Sequence, residues 1–269
     1  MKISEGGTGM ARIGHSFRKN YLHYLQEALG LAVFMISACF FSAMLESKHT
    51  ALHLAIPNGD LRTLIMGLLM GLTALLIFYS PFTAPSGSHI NPAVTVMFLR
   101  MGKTCPRDAF FYILFQLAGG LAAVYAMAFL LGHSLTDEPV KYAATIPGKY
   151  GVAAAAIAEF VIAFIMASMV LFTSESVHFK KHTRLIAAFL VCMNVIFAGP
   201  ISGFGMNPAR TLASSIPGHA YTAIWIYMLM PFAGMLGATE LFLFNQNRKQ
   251  AHRNRQILRD YLTKKAPGI

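Results

Sequence analysis

The chain alternates long apolar stretches with short polar segments that are mostly basic. Six stretches, near residues 22–45, 61–80, 108–131, 150–173, 184–200 and 221–244, are long enough to cross a hydrocarbon core about 30 Å thick, which takes about 20 helical residues. The fifth is short, so its helix is expected to begin slightly before the charges at Lys180, Lys181 and Arg184 end, or to tilt little. Two further apolar segments, Ile90 to Arg100 and Met206 to Ser215, reach only about half a bilayer as helices at about 1.5 Å per residue. They read as re-entrant half-helices.

The same parts occur twice in the same order. A span with an early glutamate (Glu27 in LQEALG, Glu159 in AIAEFV) is followed by a second span, a glycine-containing loop, the triplet Asn-Pro-Ala, a half-helix and a third span. Three spans per copy place the copies in opposite orientations across the membrane, an inverted repeat. The first copy is longer between its glutamate and its triplet, and the excess is assigned to the loop around Glu46 to Asp60. The expected fold is an all-α membrane protein of six transmembrane helices plus two re-entrant half-helices. Residues 21–244 would form one domain, with repeats at about 21–135 and 150–244, between a polar segment at 1–20 and a basic tail at 245–269.

Composition agrees with this pattern. Only 12% of residues are charged and 55% are hydrophobic, whereas a soluble domain carries about a quarter charged residues. A net charge of +11 raises nucleic acid as a partner, but the distribution of the charge argues against one. Of the 22 Lys and Arg residues, Lys48, Arg62, Lys141, Lys149 and Arg210 fall on one side of the topology, and all the others fall at the two ends or in the segments after the second and fourth spans. By the positive-inside rule both termini are cytoplasmic; the first half-helix then enters from the cytoplasm and the second from outside. Met1 to Asn20 has no short apolar core or small-residue cleavage site, so no cleaved signal peptide is expected. The chain reads as a multi-pass protein of the cell (inner or plasma) membrane, with lipid as its surroundings, and the tail as a topology anchor.

Catalytic chemistry is not apparent. Cys39, Cys105 and Cys192 are scattered and form neither a disulfide framework nor zinc spacing. No glycine-rich phosphate loop, nucleophile beside a base, or metal-ligand cluster is present, so a non-enzyme without metal or cofactor is expected.

The repeated triplet has a direct physical reading. Asn is a preferred N-cap, and Pro suits the first helical position, where its missing N–H costs nothing. Asn91-Pro92-Ala93 and Asn207-Pro208-Ala209 should each start a half-helix after a Ser-Gly turn, Ser86-Gly87 and Ser202-Gly203. Half-helices entering from opposite faces would bring together two N-termini, each with about half a positive charge from aligned peptide dipoles, and that junction repels cations. Irregular backbone at such depth is tolerated where protein buries it or a water-filled cavity solvates it, so the loops before the triplets should line a pore.

SGSHINPAVTV at 86–96 and SGFGMNPARTLASS at 202–215 resemble the paired signature loops of the aquaporins and glycerol facilitators, the major intrinsic proteins. The resemblance extends over all six spans, both glutamates and Gln116, roughly residues 20 to 245. It implies a homotetramer with one pore per subunit, Asn91 and Asn207 at the central constriction, and Arg210 in an outer selectivity filter. By position relative to the second motif, Val195 and Phe204 resemble further filter residues. The second span supplies Met70 or Gly71; the loop from Ser80 to Ser88 holds one residue more than the pattern and leaves both open. Water-selective members place an aromatic residue and a histidine in this filter, so Val195 departs from them and Phe204 resembles the glycerol facilitators. Thr211 after the arginine and Tyr227 in the sixth span point back toward water. The function implied is a passive channel for water or small neutral solutes such as glycerol.

Arg210 in the first turn of a half-helix opposes the dipole, and a cation in an apolar segment is costly, which favours a pore role over a snorkelling surface arginine. His89 has two readings, the pore mouth and a packed core histidine. Glu27 and Glu159 read as acceptors for backbone N–H groups of the re-entrant loops, with a proton relay as the sharper alternative. A coupled secondary transporter also uses inverted repeats and intramembrane carboxylates; the paired triplets and the lack of a mid-pore charged pair weigh against it.

Overall fold

The computed structural model describes residues 9–265, with side chains for residues 14–257. The segment 1–20 and the tail 245–269 therefore lie partly outside the described residues. Among the described residues ten α-helices occur in the order α1 (Gly9–Glu46), α2 (Ala51–Ala55), α3 (Gly59–Tyr79), α4 (Pro92–Arg100), α5 (Pro106–Leu131), α6 (His133–Thr136), α7 (Gly151–Glu175), α8 (Thr183–Ser202), α9 (Pro208–Gly218) and α10 (Ile224–Lys265). Six of them, α1, α3, α5, α7, α8 and α10, are long and apolar enough to span a membrane. The protein is an all-α, multi-pass membrane protein, and α4 and α9 are the two short helices that start at the triplets. The longer first copy accommodates the small helix α2.

The two outer helices run past the apolar stretches seen in the sequence. α1 begins well before residue 22, and α10 continues well beyond 244. On α1 the reason is a polar anchor: Ser16, Asn20 and Tyr24 donate to the carboxylate of Asp108 at the start of α5, at 2.7, 3.1 and 2.6 Å. On α10 the segment NQNRKQAHRNRQ contains no Gly or Pro and is rich in Gln, Arg and Lys, which favour helix. Up to Lys265 the tail is thus a helical extension of the last span.

Packing repeats with the sequence. α1 packs on α5 and α7 on α10, and α3 packs on α8 across the two copies. Each intra-copy crossing is closed by a glycine. A Cβ on Gly119 would lie 2.2 Å from the carbonyl oxygen of Ala28, and one on Gly234 would lie 2.4 Å from that of Phe160. Ala28 and Phe160 directly follow the two repeat glutamates, so the close approach brings each glutamate up to its loop. The α3–α8 seam is also tight: a Cβ on Gly67 would meet Ile196 at 2.4 Å and one on Gly71 would meet Cys192 at 2.6 Å. Leu68, Leu72 and Leu76 on α3 remain exposed at helical spacing, as a lipid-facing stripe requires.

Candidate functional site: the paired half-helix junction

Each half-helix is capped by its asparagine. The Asn91 side-chain oxygen accepts from Ala93 N at 2.8 Å, and that of Asn207 accepts from Ala209 N and Arg210 N at 3.1 and 3.2 Å. Pro92 and Pro208 occupy the first helical positions. The side-chain amides then cross. Asn91 Nδ2 donates to Met206 O at 2.9 Å, and Asn207 Nδ2 donates to Ile90 O at 2.7 Å. The N-termini of α4 and α9 are thereby joined, and both asparagines, with Ala93 and Ala209, are buried.

The loops before the triplets are strained at matching places. Gly87, Ser88 and Ile90 have φ of 95°, 49° and 45°, and Gly203, Phe204 and Met206 have 75°, 52° and 42°. A non-glycine residue in this region costs of order 1–3 kcal/mol and persists only where its surroundings over-determine it. The repeat glutamates supply that determination. Glu27, fully buried, accepts from Ser86 Oγ at 2.6 Å, His89 N at 3.0 Å, Ile90 N at 2.6 Å and Gln116 Nε2 at 2.8 Å. Glu159, equally buried, accepts from Ser202 Oγ at 2.6 Å, Gly205 N at 2.8 Å and Met206 N at 2.5 Å. Tyr112 and Tyr227 complete the pattern by donating to Ser86 O at 2.8 Å and Ser202 O at 2.7 Å.

The copies differ at the position two before each asparagine. There is room for His89 in the first loop, but in the second a Cβ on Gly205 would lie 2.4 Å from the Tyr227 ring. His89 stacks on Phe98 with ring centroids 4.7 Å apart, and its Nδ1 lies 3.2 Å from Thr95 Oγ1. It also lines the cavity described next.

A cavity of about 540 Å³ leads to the junction. Its mouth is formed by Tyr79, Ser174, Lys180, Lys181 and Arg184, its walls include Phe34, Phe78, Phe98, Met166 and Val170, and its far end holds Asn91, Asn207, Phe204 and Met206. Arg210, Val195, Met70 and Gly71 are not among its lining residues. Arg210 is buried, and its Nη1 donates to Thr145 Oγ1, which lies 3.4 Å from Thr211 Oγ1. Val195 and Met70 are buried in the hydrophobic core. Gly71 faces α8 through Cys192, while Met70, its neighbour, is buried in the core.

Ser86, Ser202, Tyr112, Gly119, Gly234 and Thr145 were not singled out from the sequence for these contacts. For the first five a signal existed, because each has an equivalent in the other copy: Ser86 and Ser202, Gly119 and Gly234, and Tyr112 with Tyr227. Thr145 has no such partner and becomes visible only in three dimensions. Among the described residues no cluster of His, Cys, Asp or Glu is suited to a metal ion.

Six spans in two copies, with an Asn-Pro-Ala half-helix from each meeting at a buried junction, define a membrane protein of the paired-half-helix class. The major intrinsic protein family model matches residues 15–242, and the chain belongs to that family. It is 32% identical over 216 residues to aquaporin NIP1-3 of Oryza sativa subsp. japonica, covering 80% of this chain and 70% of that protein. It is 37% identical over 150 residues to aquaporin NIP1-4 of the same plant, covering 55% of this chain and 53% of that one. A match to a probable aquaporin NIP-type of Nicotiana alata spans 57% of that relative, so the chain spans little more than half of these two relatives' lengths. The fold is similar to that of the aquaglyceroporin from Plasmodium falciparum, with a TM-score of 0.65 at 18% identity, covering 82% of this chain and 95% of that one.

Proposed function

We propose that the chain is a passive channel for water and small neutral solutes that excludes ions and protons. The observation that carries this reading is the crossed asparagine pair at the end of an apolar-walled cavity. Each asparagine uses one amide N–H on the opposite loop and its oxygen on backbone N–H groups of its own helix, and its second N–H is left to a passing hydroxyl or water. The half-helix N-termini make the junction positive, which opposes cations. Arg210, held by Thr145, adds a second positive barrier, with Val195, Phe204 and Met70 as the other filter residues. Glu27 and Glu159 are loop supports in this scheme, because their oxygens are already engaged by loop donors. That engagement argues against a proton relay or a coupled transporter.

A second channel reading, a facilitator whose main cargo is glycerol or a similar solute, is favoured by Val195 and Phe204, which offer an apolar opening. Stopped-flow light scattering on proteoliposomes separates the readings. Fast shrinkage in an impermeant osmolyte without re-swelling in glycerol supports the water channel; fast re-swelling supports the facilitator; rates equal to protein-free vesicles overturn both.

The assembly we infer is a homotetramer in the cell membrane with both termini cytoplasmic. Cysteine labelling of intact cells from outside should reach a Cys at Asp137 and not one at Lys180 or Arg255, and the opposite pattern overturns the orientation.

A further inference from the structure

The mouth of the cavity beside Tyr79 carries Lys180, Lys181 and Arg184. The three cations are exposed, and no carboxylate lies within ion-pair distance of them among the described residues. Among the described residues the acids at this end are already engaged: Glu175 by Lys103 at 3.1 Å, Glu240 by Arg100 at 2.6 Å, and Asp108 by Ser16, Asn20 and Tyr24. Among those residues no Asp or Glu lines the cavity. Uncompensated positive charge at the mouth of a low-dielectric cleft focuses its field there and concentrates anions. Behind the cations the walls turn apolar and aromatic, through Phe78, Phe98 and Val170.

We propose that this vestibule is a binding site for small amphipathic organic anions, seated with the anionic group on Lys180, Lys181 and Arg184 and the apolar body against Phe78 and Phe98, and that an occupant blocks the path to Asn91 and Asn207. A volume of about 540 Å³ accommodates a bicyclic aromatic acid, and Arg184, 5.7 Å from the Tyr79 ring centroid, is held at the rim where a carboxylate, sulfonate or phosphate would meet it. Fully hydrated inorganic anions gain nothing from the apolar walls and are expected to bind weakly.

The blocking part rests on the channel reading, and the binding part does not, so two measurements are used. Binding is measured by equilibrium dialysis of naphthalene sulfonate against the protein in nanodiscs, with empty nanodiscs as the blank. Saturable binding that weakens by about tenfold in each of Lys180→Gln, Lys181→Gln and Arg184→Gln is expected, since a charge-assisted contact of about 1.4 kcal/mol is worth that factor. Naphthalene methanol, the neutral analogue, should not saturate the site. Equal binding to all variants, or equal binding of the alcohol, overturns the site. Flux is then measured by stopped flow with the sulfonate on each side of the vesicle in turn, each variant referred to its own anion-free rate. Loss of flux from the basic-mouth side alone supports blocking, and unchanged flux at saturating binding overturns it. Absence of flux without any anion would overturn the channel reading and leave the dialysis result to decide the site.

Discussion

Asn91 and Asn207 each donate an amide N–H to the backbone carbonyl just before the other, at 2.9 and 2.7 Å. Neither half of the junction is complete alone, which explains why the motif occurs twice and why the two α-helix N-termini can be held face to face despite their like charge. Asn207→Asp should break this arrangement, because a carboxylate has no proton to give to Ile90 O. The loss of a buried donor is expected to lower stability by about 1–3 kcal/mol, and a negative charge at the junction should weaken cation exclusion. Thermal unfolding in detergent and dye-reported proton leak in proteoliposomes test the two parts; an unchanged melting temperature with an unchanged leak would contradict the role given to the pair.

The glutamates are predicted to matter for the loops and not for transport chemistry. Glu159→Gln keeps the shape and replaces one acceptor oxygen by an N–H group that faces either Gly205 N or Met206 N. A cost of about 1.5–3 kcal/mol is expected from the loss of one bond to a charged acceptor. Flux per folded molecule should fall, and no pH-dependent coupling of solute to proton should appear. A variant that folds normally but loses proton-coupled uptake would restore the relay.

Gly119→Ala and Gly234→Ala should fail together. Each Cβ would collide with backbone, the carbonyl oxygens of Ala28 and Phe160, and backbone cannot turn away as a side chain can. Overpacking of this kind costs about 1–3 kcal/mol, and the shift would also move Glu27 or Glu159 off its loop. Yield of folded protein and thermal unfolding are the readouts, with Gly14→Ala as control, since a Cβ at Gly14 meets nothing. Equal behaviour of all three variants would show that the crossings are not close-packed.

Much of this was legible in the sequence, for reasons that can be named. Lipid forces every span to be apolar over a fixed length, so the six spanning helices stand out, and Asn-Pro marks a helix start wherever it falls. The ends of α1 and α10 were not legible, because hydropathy locates the membrane and not the helix. The α1 extension depends on Ser16, Asn20 and Tyr24 meeting Asp108 from another helix. Met70 and Gly71 could not be separated by counting, since adjacent helix positions differ in which neighbour they meet, and the contact of Gly71 with Cys192 on α8 exists only in three dimensions.

Thr145 is predicted to orient Arg210, the arginine proposed for the filter. Its hydroxyl accepts from Arg210 Nη1 and lies 3.4 Å from Thr211 Oγ1, so Thr145→Val keeps the volume and removes the acceptor, while Thr145→Ser keeps the acceptor. The valine variant should retain water flux within severalfold and admit a measurable proton or cation current, as should Arg210→Val, and the serine variant should behave as the parent. The valine change should add little to Arg210→Val when the two are combined, because both act through the same guanidinium. Additive leaks would place Thr145 outside the filter.

The width of the filter is predicted to be set by Met70 and Val195, both buried and on the two helices that pack across the copies. Val195→His puts a bulkier, hydrogen-bonding ring where the parent has a short, branched apolar side chain; water gains a partner, but glycerol loses room. Glycerol flux should therefore fall more than water flux. Met70→Ala shortens a flexible side chain and should act in the opposite direction, raising glycerol flux with water flux little changed. Gly71→Ala discriminates the two assignments on the second span. If Gly71 packs on α8, its methyl collides with Cys192 and folding suffers while the water-to-glycerol ratio of the folded fraction stays put; if Gly71 instead lines the opening, the ratio moves and folding does not. Stopped-flow water and glycerol permeabilities, normalised to folded protein in the same vesicles, read all three variants. A ratio that responds to Gly71→Ala and ignores Met70→Ala would reverse the assignment.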